Sequence, residues 1–204
     1  NCIKNDLGWH FIMHEITQQS GVHYVHYNDP LVVKKCFDQI ITCLPKQIPE
    51  IIVLCIGTDR STGDSLGPLT GTFLSKFRPR NIHVYGTLHE PVHAVNLLDY
   101  LQLIEETHYH PFVIAVDASL GKRTSIGSFI SGLGPITPGA ALNKKLPPVG
   151  DMYLTGVVNI GGFMDYTVLQ STRLSVVHDM AHKLSLILYR LDNWLTRHKV
   201  NSSK

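Results

Sequence analysis

The chain has 204 residues, of which 44% are hydrophobic and 17% are charged, and its formal net charge is +2. This composition supplies enough apolar material for a core and excludes an intrinsically disordered chain. A net charge this small gives no sign of a polyanionic partner, so we expect no nucleic acid to bind. The cysteines, Cys2, Cys36, Cys43 and Cys55, form no C-x-x-C pair. That spacing argues against a zinc or redox motif and favours reduced, buried thiols in a reducing compartment.

No apolar run approaches the roughly 20 residues that a membrane-spanning helix needs. The N-terminus mixes Lys4, Asp6, His10 and Glu15 with its apolar residues, which is not the pattern of a secretory signal peptide. We therefore predict a soluble, cytoplasmic protein with no membrane partner. The length suits an N-terminal extension at 1–28 followed by one α/β domain at 29–204.

Apolar runs and turn residues predict alternating strands and helices over the first half of the chain. We expect a short edge strand at 23–27, a helix at 31–44, a strand at 51–56, a polar loop at 58–65, a helix at 66–77, a strand at 82–85, a helix from Pro91 to about Thr107 and a third strand at 112–116. This order predicts a doubly wound, mainly parallel sheet with helices on both faces.

The second half of the chain contains fewer helices. A strand at 126–130 follows the third strand too closely for a crossover helix, so we expect it to run antiparallel to that strand. A loop rich in Gly and Pro at 132–150, a last strand at 154–160 and one helical pattern at 165–197 complete the chain.

Two carboxylates mark the expected site. Asp64 begins a predicted helix, where the helix N-terminus favours the ionised form, and Asp117 directly follows an apolar strand, where partial desolvation favours the neutral form. Ligands of open α/β sheets bind beyond the carboxyl ends of the strands. We therefore expect Asp64, Asp117 and the 132–150 loop to meet there, with one carboxyl acting as acid and the other as base.

Other interpretations of the same segments stay open. The two carboxylates and a nearby histidine, such as His89 or His93, are also suitable ligands for a divalent metal ion, although we expect no cofactor. The segment Gly63–Gly67 matches G-x-S-x-G, but Ser65 lies too far beyond the strand for a nucleophile elbow. The same loop has backbone N–H groups that suit an anion, but it lacks the lysine of a P-loop.

Several motifs resemble the YyaC family of sporulation proteins. They are the segments 56–68, with Asp64-Ser-Leu-Gly-Pro68, then 85–88, 91–97, 116–121 with Asp117-Ala118, and Pro138-Gly139. That family is similar to the spore germination endopeptidase and, more widely, to the hydrogenase maturation proteases. The resemblance implies a three-layer α/β/α sandwich of the phosphorylase/hydrolase type, whose mostly parallel sheet has one antiparallel strand.

The resemblance also implies a function. The catalytic aspartates of the germination endopeptidase match Asp64 and Asp117, and the equivalent acids of the maturation proteases bind a nickel ion of their substrate. We therefore expect a sporulation-associated, aspartate-dependent peptidase that acts on a protein or peptide, with Asp59, Arg60, His89 and His93 lining the substrate crevice. A non-catalytic peptide- or ligand-binding protein, a metal-dependent hydrolase and a homo-oligomer remain alternatives.

Overall fold

The computed structural model describes residues 23–138, 146–162 and 164–202, and of residues 199–202 it describes the backbone. The strands are β1 (His23–His26), β2 (Ile51–Cys55), β3 (Ile82–Tyr85), β4 (Phe112–Gly121), β5 (Ser128–Leu133) and β6 (Met152–Ile160). The helices are α1 (Val32–Cys43), α2 (Leu66–Lys76), α3 (Leu97–Thr107), α4 (Asp165–Gln170) and α5 (Leu174–Ser202). Two short 3-10 helices span Gly63–Ser65 and Arg123–Ser125.

The six strands form one sheet in the order β1-β5-β6-β4-β2-β3. The pairs β3–β2, β2–β4 and β4–β6 are parallel, while β5 runs antiparallel to both β6 and β1. The predicted mostly parallel sheet with one reversed strand is therefore confirmed. However, the neighbours of β5 are β6 and β1, whereas β4 pairs with β2 and β6, because β6 inserts beside β4.

Helices cover the sheet on both sides. One face of β2 and β4, with Ile51, Val53, Ile114 and Val116, packs against α1, α2 and α5. The other face, with Ile52, Leu54, Val113 and Ala115, packs against α3 and the loop segments around Val92 and Val149. Because β2 is buried on both faces, it consists of an unbroken apolar run, as a central parallel strand requires. The layers form the expected three-layer sandwich.

Strand β1 pairs with β5 at one edge of the sheet, so the sheet begins within the segment predicted as an N-terminal extension. Residues 1–22, the rest of that predicted extension, lie outside the described residues. Among the helices of the described residues, none is long and apolar enough to cross a membrane.

Two helix predictions are corrected. The helix expected from Pro91 begins at Leu97, because Val92 forms a parallel bridge with Ile56 and the Asn96 side chain closes a turn onto the Pro91 carbonyl and the His93 N–H. The single helix expected at 165–197 is two helices. The break lies at 171–173, where the Thr172 hydroxyl accepts a hydrogen bond from the Asn159 amide of β6.

Candidate active site

Gly57 determines the position of Asp64. Its φ is +145°, and a Cβ there would lie 1.9 Å from the Asp64 carbonyl oxygen. The chain therefore doubles back after β2, and the Thr58 N–H donates a hydrogen bond of 3.1 Å to that same oxygen. A residue with a side chain could not make this close approach. As a result, Asp64 lies at the carboxyl end of β2 on the 3-10 helix that precedes α2.

The turn that carries Asp64 is packed from two sides. A Cβ on Gly63 would lie 2.7 Å from the buried Leu169 side chain of α4, and a Cβ on Gly67 would lie 2.1 Å from the Ile56 carbonyl oxygen. The buried Ser65 hydroxyl donates to the Thr62 carbonyl at 2.6 Å. Ser65 is therefore engaged within the turn, and it lies well beyond the end of β2, which agrees with rejecting it as a nucleophile.

Asp117 lies within β4 and not after it, which corrects the predicted strand end. The partner strand β2 stops at Cys55, opposite Val116, and the Ile56 N–H donates to the Val116 carbonyl at 2.7 Å. Beyond that point β4 and β6 continue together as far as Gly121 and Ile160. Asp117 therefore lies at the carboxyl edge of the parallel sheet, where one neighbouring strand ends and the other continues.

Both carboxyl groups have pKa values above the ordinary range. Burial raises the pKa of Asp117 to about 8; the Ala118 N–H acts in the opposite direction and the Asp64 charge raises it further. Burial also raises the pKa of Asp64, against the effect of the Ser61 hydroxyl. The prediction that the helix N-terminus would favour ionised Asp64 is thus wrong in direction, because loss of water outweighs the helix end.

The four residues expected to line the crevice lie on loops after β2 and β3. Asp59 and Arg60 are exposed, and the Arg60 N–H donates to the Thr58 hydroxyl at 3.3 Å. His93 is half-buried directly after Val92, which bridges to Ile56, while His89 is exposed in the preceding turn. The loops therefore reach the carboxyl edge, and the substrate roles of these side chains stay predictions.

The Gly/Pro loop does not begin at that edge, contrary to expectation. Its described parts, 134–138 and 146–150, are joined by a bridge between Ile136 and Val149. They lead into Asp151, which bonds to the backbone of Val113 at the amino-terminal end of β6. The reason is the direction of β5, which runs back along the sheet before the loop starts. Pro138 is described, whereas Gly139 lies outside the described residues.

Two polar residues near the carboxyls were not predicted. Thr155 of β6 is buried and pairs in register with Asp117, so its hydroxyl lies on the same face of the sheet. Ser61 is buried beside Asp64. The sequence signal for Thr155 is weak, since it is one polar residue within the apolar run 154–158. A cavity of about 330 Å³ lies elsewhere, between β1 and α1.

A metal ion at the pair would need further ligands. Among the residues that the structure describes, no third His, Cys, Asp or Glu joins Asp64 and Asp117 in a group of ligand atoms within 4.8 Å of one another. His178 and His182 lie four residues apart on α5. Both rings pack edge-on against the Phe73 ring of α2, so their role is in packing.

The fold is similar to that of a solved hydrogenase maturation protease. The structure aligns with the crystal structure of a [NiFe] hydrogenase maturation protease, HycI, from Thermococcus kodakarensis KOD1 with a TM-score of 0.50. The alignment covers 76% of this chain and 99% of that one at 15% identity, so the likeness concerns the fold.

The chain belongs to the family described as Protein of unknown function (DUF1256), whose model matches residues 24–187. It is 49% identical over 170 residues to the uncharacterized protein YyaC of Bacillus subtilis (strain 168), and the match covers 83% of each chain. The resemblance found in the sequence motifs is therefore confirmed.

Proposed function

We propose that this protein is a peptidase-like hydrolase of sporulating cells that cleaves a protein or peptide with Asp64 and Asp117. The observation that carries the proposal is the pair itself. Two carboxyls with raised pKa values lie at the carboxyl edge of the sheet, and the charge of Asp64 contributes to raising the pKa of Asp117 to about 8. Groups with such shifts, placed where α/β sheets bind ligands, are candidates for acid–base catalysis.

The two carboxyls have different roles in the reaction, one as base and the other as acid. At pH 7 Asp117 holds a proton, because its pKa is about 8, and the negative charge of ionised Asp64 is one of the causes of that shift. The Asp64 carboxylate accepts a proton as water attacks the peptide carbonyl carbon, and Asp117 gives its proton to the amine as the C–N bond breaks. One proton is gained and one is lost by the pair, and transfer from Asp64 to Asp117 restores the starting state.

The proposed substrate, a protein or peptide, rests on the family resemblance, and the charged loops beside the carboxyl edge support it. Asp59, Arg60 and His89 are exposed on loops after β2 and β3, where they offer both signs of charge to an incoming chain. Small acid-soluble spore proteins are the substrates to test first, because the germination endopeptidase that the motifs resemble degrades them. The proposal places the protein in the cytoplasm of the sporulating cell or forespore.

The test compares wild type with Asp64→Asn and Asp117→Asn on small acid-soluble spore proteins, with products identified by mass spectrometry. Each substitution keeps the shape but removes the proton transfer, so we expect the cleavage rate to fall by about 10²–10⁴-fold. Asp99→Asn, which removes an exposed carboxyl of α3, serves as the matched control and should cleave like wild type.

Three outcomes would contradict the proposal. Full activity in both Asn variants would remove the pair from the mechanism. Intact substrate with wild type, together with thermal stabilisation by the same proteins that Asp117→Asn weakens, would instead indicate the non-catalytic binding protein. Activity that is lost on chelation and restored by a divalent ion would indicate the metal-dependent hydrolase.

A further inference from the structure

A cluster of potential metal ligands lies at the amino-terminal end of β2, opposite the end that faces the carboxylate pair. Glu50 directly precedes β2, His83 lies on β3 beside Ile52, and His108 follows the last residue of α3. Their ligand atoms, one from each side chain, all lie within 4.8 Å of one another. The residues come from three separate parts of the chain, so the fold brings them together and no sequence motif predicts the group.

The two imidazoles converge on one carboxylate. His83 Nε2 lies 2.8 Å from Glu50 Oε1, and His108 Nδ1 lies 2.9 Å from Glu50 Oε2. The ring centroids of the two histidines are 4.7 Å apart. Zinc holds such ligands at about 2.0–2.2 Å, which corresponds to donor atoms roughly 3.4 Å apart. The two histidine–carboxylate distances are about half an ångström shorter than that spacing, and the ligand atoms all lie within 4.8 Å of one another, so side-chain movements of about 1 Å turn this group into a set of three ligands.

Tyr85 fixes the orientation of the inner histidine. Its hydroxyl lies 2.8 Å from His108 Nε2, the ring nitrogen that points away from Glu50. A hydroxyl both donates and accepts, so this bond holds whichever nitrogen of His108 carries the proton. Metal-binding histidines commonly have such a partner on the second nitrogen, which sets the ring orientation.

The local field also suits a cation. His108 is the residue after the C-terminal end of α3, where the backbone carbonyls give the helix its negative pole. Access differs across the group, because the side chain of His83 is 49% exposed while that of His108 is 5% exposed. A metal ion would thus be anchored from inside and reached from solvent at the β3 edge.

We propose that Glu50, His83 and His108 form a binding site for a divalent transition metal, with zinc as the ion that best fits a His₂Glu set. The site is independent of the proposed peptidase activity. The five residues of β2 span about 17 Å, and the carboxylate pair lies beyond their opposite end. Its consequence is structural: the ion ties edge strand β3 to the start of β2 and to the end of α3.

The test measures zinc bound per chain by elemental analysis after dialysis of the full chain against zinc chloride. Wild type should retain one zinc that His83→Gln and Glu50→Gln lose, and both variants should fold, because each side chain is substantially exposed. His178→Gln is the matched control, since it removes an exposed histidine of α5. Tyr85→Phe should weaken zinc binding by about 10–100-fold, as loss of an orienting partner does.

Zinc should also raise the melting temperature of wild type and His178→Gln, and leave that of His83→Gln unchanged. The proposal is overturned if wild type and His83→Gln bind the same amount of zinc. It is equally overturned if the zinc is lost in Asp117→Asn and kept in His83→Gln, which would place the ion at the carboxylate pair.

Discussion

The backbone at Gly57 sets the distance between the Asp64 turn and the end of β2. For Gly57→Ala we expect a loss of more than about 1 kcal/mol of stability, because alanine disfavours a positive φ. We also expect reduced cleavage, because the new Cβ, 1.9 Å from the Asp64 carbonyl oxygen, displaces the turn that carries Asp64. Chemical denaturation and initial cleavage rates measure the two effects.

The matched control for this substitution is Gly134→Ala. Gly134 also has a positive φ, +100°, but no atom lies within 4 Å of the position of its Cβ. It therefore carries the same kind of backbone strain without the close approach. Equal losses of cleavage in both variants would show that the contact between Gly57 and Asp64 does not position the carboxyl.

At the scale of single residues the sequence predicted that two carboxyls lie at the carboxyl edge of the sheet, but it predicted the pKa shift of only one of them. Asp64 and Asp117 were recognised because each adjoins the end of an apolar strand or the start of a helix. The shift of Asp117 followed from burial. The shift of Asp64 was not predicted, because it depends on how deeply the folded chain buries the turn, and local sequence carries no information about that burial.

Among the secondary-structure elements, the long helix α5 secures the start of β3 through one buried carboxylate. Asp192 accepts hydrogen bonds from the N–H groups of Arg80 and Asn81 at 2.9 and 2.6 Å, and it is 3% exposed. For Asp192→Ala we expect a destabilisation of about 1–3 kcal/mol, because two backbone N–H donors lose their buried, charged acceptor. Urea denaturation measures it.

Asp179→Ala tests whether the expected destabilisation in Asp192→Ala comes from the lost hydrogen bonds or only from the loss of a negative charge on α5. Asp179 lies on the same helix, but its side chain is 59% exposed and contacts His178. Its removal should change the free energy of unfolding by less than about 0.5 kcal/mol. A comparable loss in both variants would mean that the bonds to Arg80 and Asn81 contribute little.

Element boundaries show why periodicity alone was insufficient. The strand that carries Asp117 continues to Gly121 because β6 pairs with it that far, although its sequence becomes polar. The helix start at Leu97 depends on the bridge between Val92 and Ile56. Strand order likewise depends on which strands meet in space. Apolar runs such as 51–55 and 112–116 were predicted well, because burial on both faces leaves a strong local pattern.

For the whole molecule, the carboxyl pair makes stability depend on pH. The pKa of Asp117 is about 8 in the folded chain against an ordinary value of 3.8, and that of Asp64 is also raised. The folded state therefore binds protons that the unfolded chain has released above about pH 4. The free energy of unfolding should fall as the pH rises from about 4 to 8, by about 1.4 kcal/mol for each unit of pKa difference.

Asp117→Asn removes most of this dependence. Its free energy of unfolding, measured by denaturation at several pH values, should change less between pH 4 and pH 8 than that of wild type. The other buried carboxyl with a raised pKa, Asp151, is present in both proteins and cancels in the difference. Asp99→Asn should follow the wild-type curve, and parallel curves for wild type and Asp117→Asn would contradict the shift.

The tertiary arrangement also created a group that no sequence pattern indicated. Glu50, His83 and His108 are 33 and 25 positions apart along the chain, and each lies beside the end of an element or on an edge strand. Metal motifs that are readable from sequence place two ligands within one turn or loop. Here the register of β2 with β3 and the end of α3 bring the three side chains together.

Three buried cysteines allow local opening of the structure to be followed by thiol labelling. Cys36, Cys43 and Cys55 are unpaired and at most 3% exposed, and burial raises the pKa of each thiol. A maleimide can reach them when the helix α1 or the central strand separates from its neighbours. The labelling rates of Cys36 and Cys43 then measure how often α1 separates from the sheet. The labelling rate of Cys55 measures how often the centre of the sheet opens. Labelling rates followed by peptide mapping would show whether those two parts of the protein open together or in sequence.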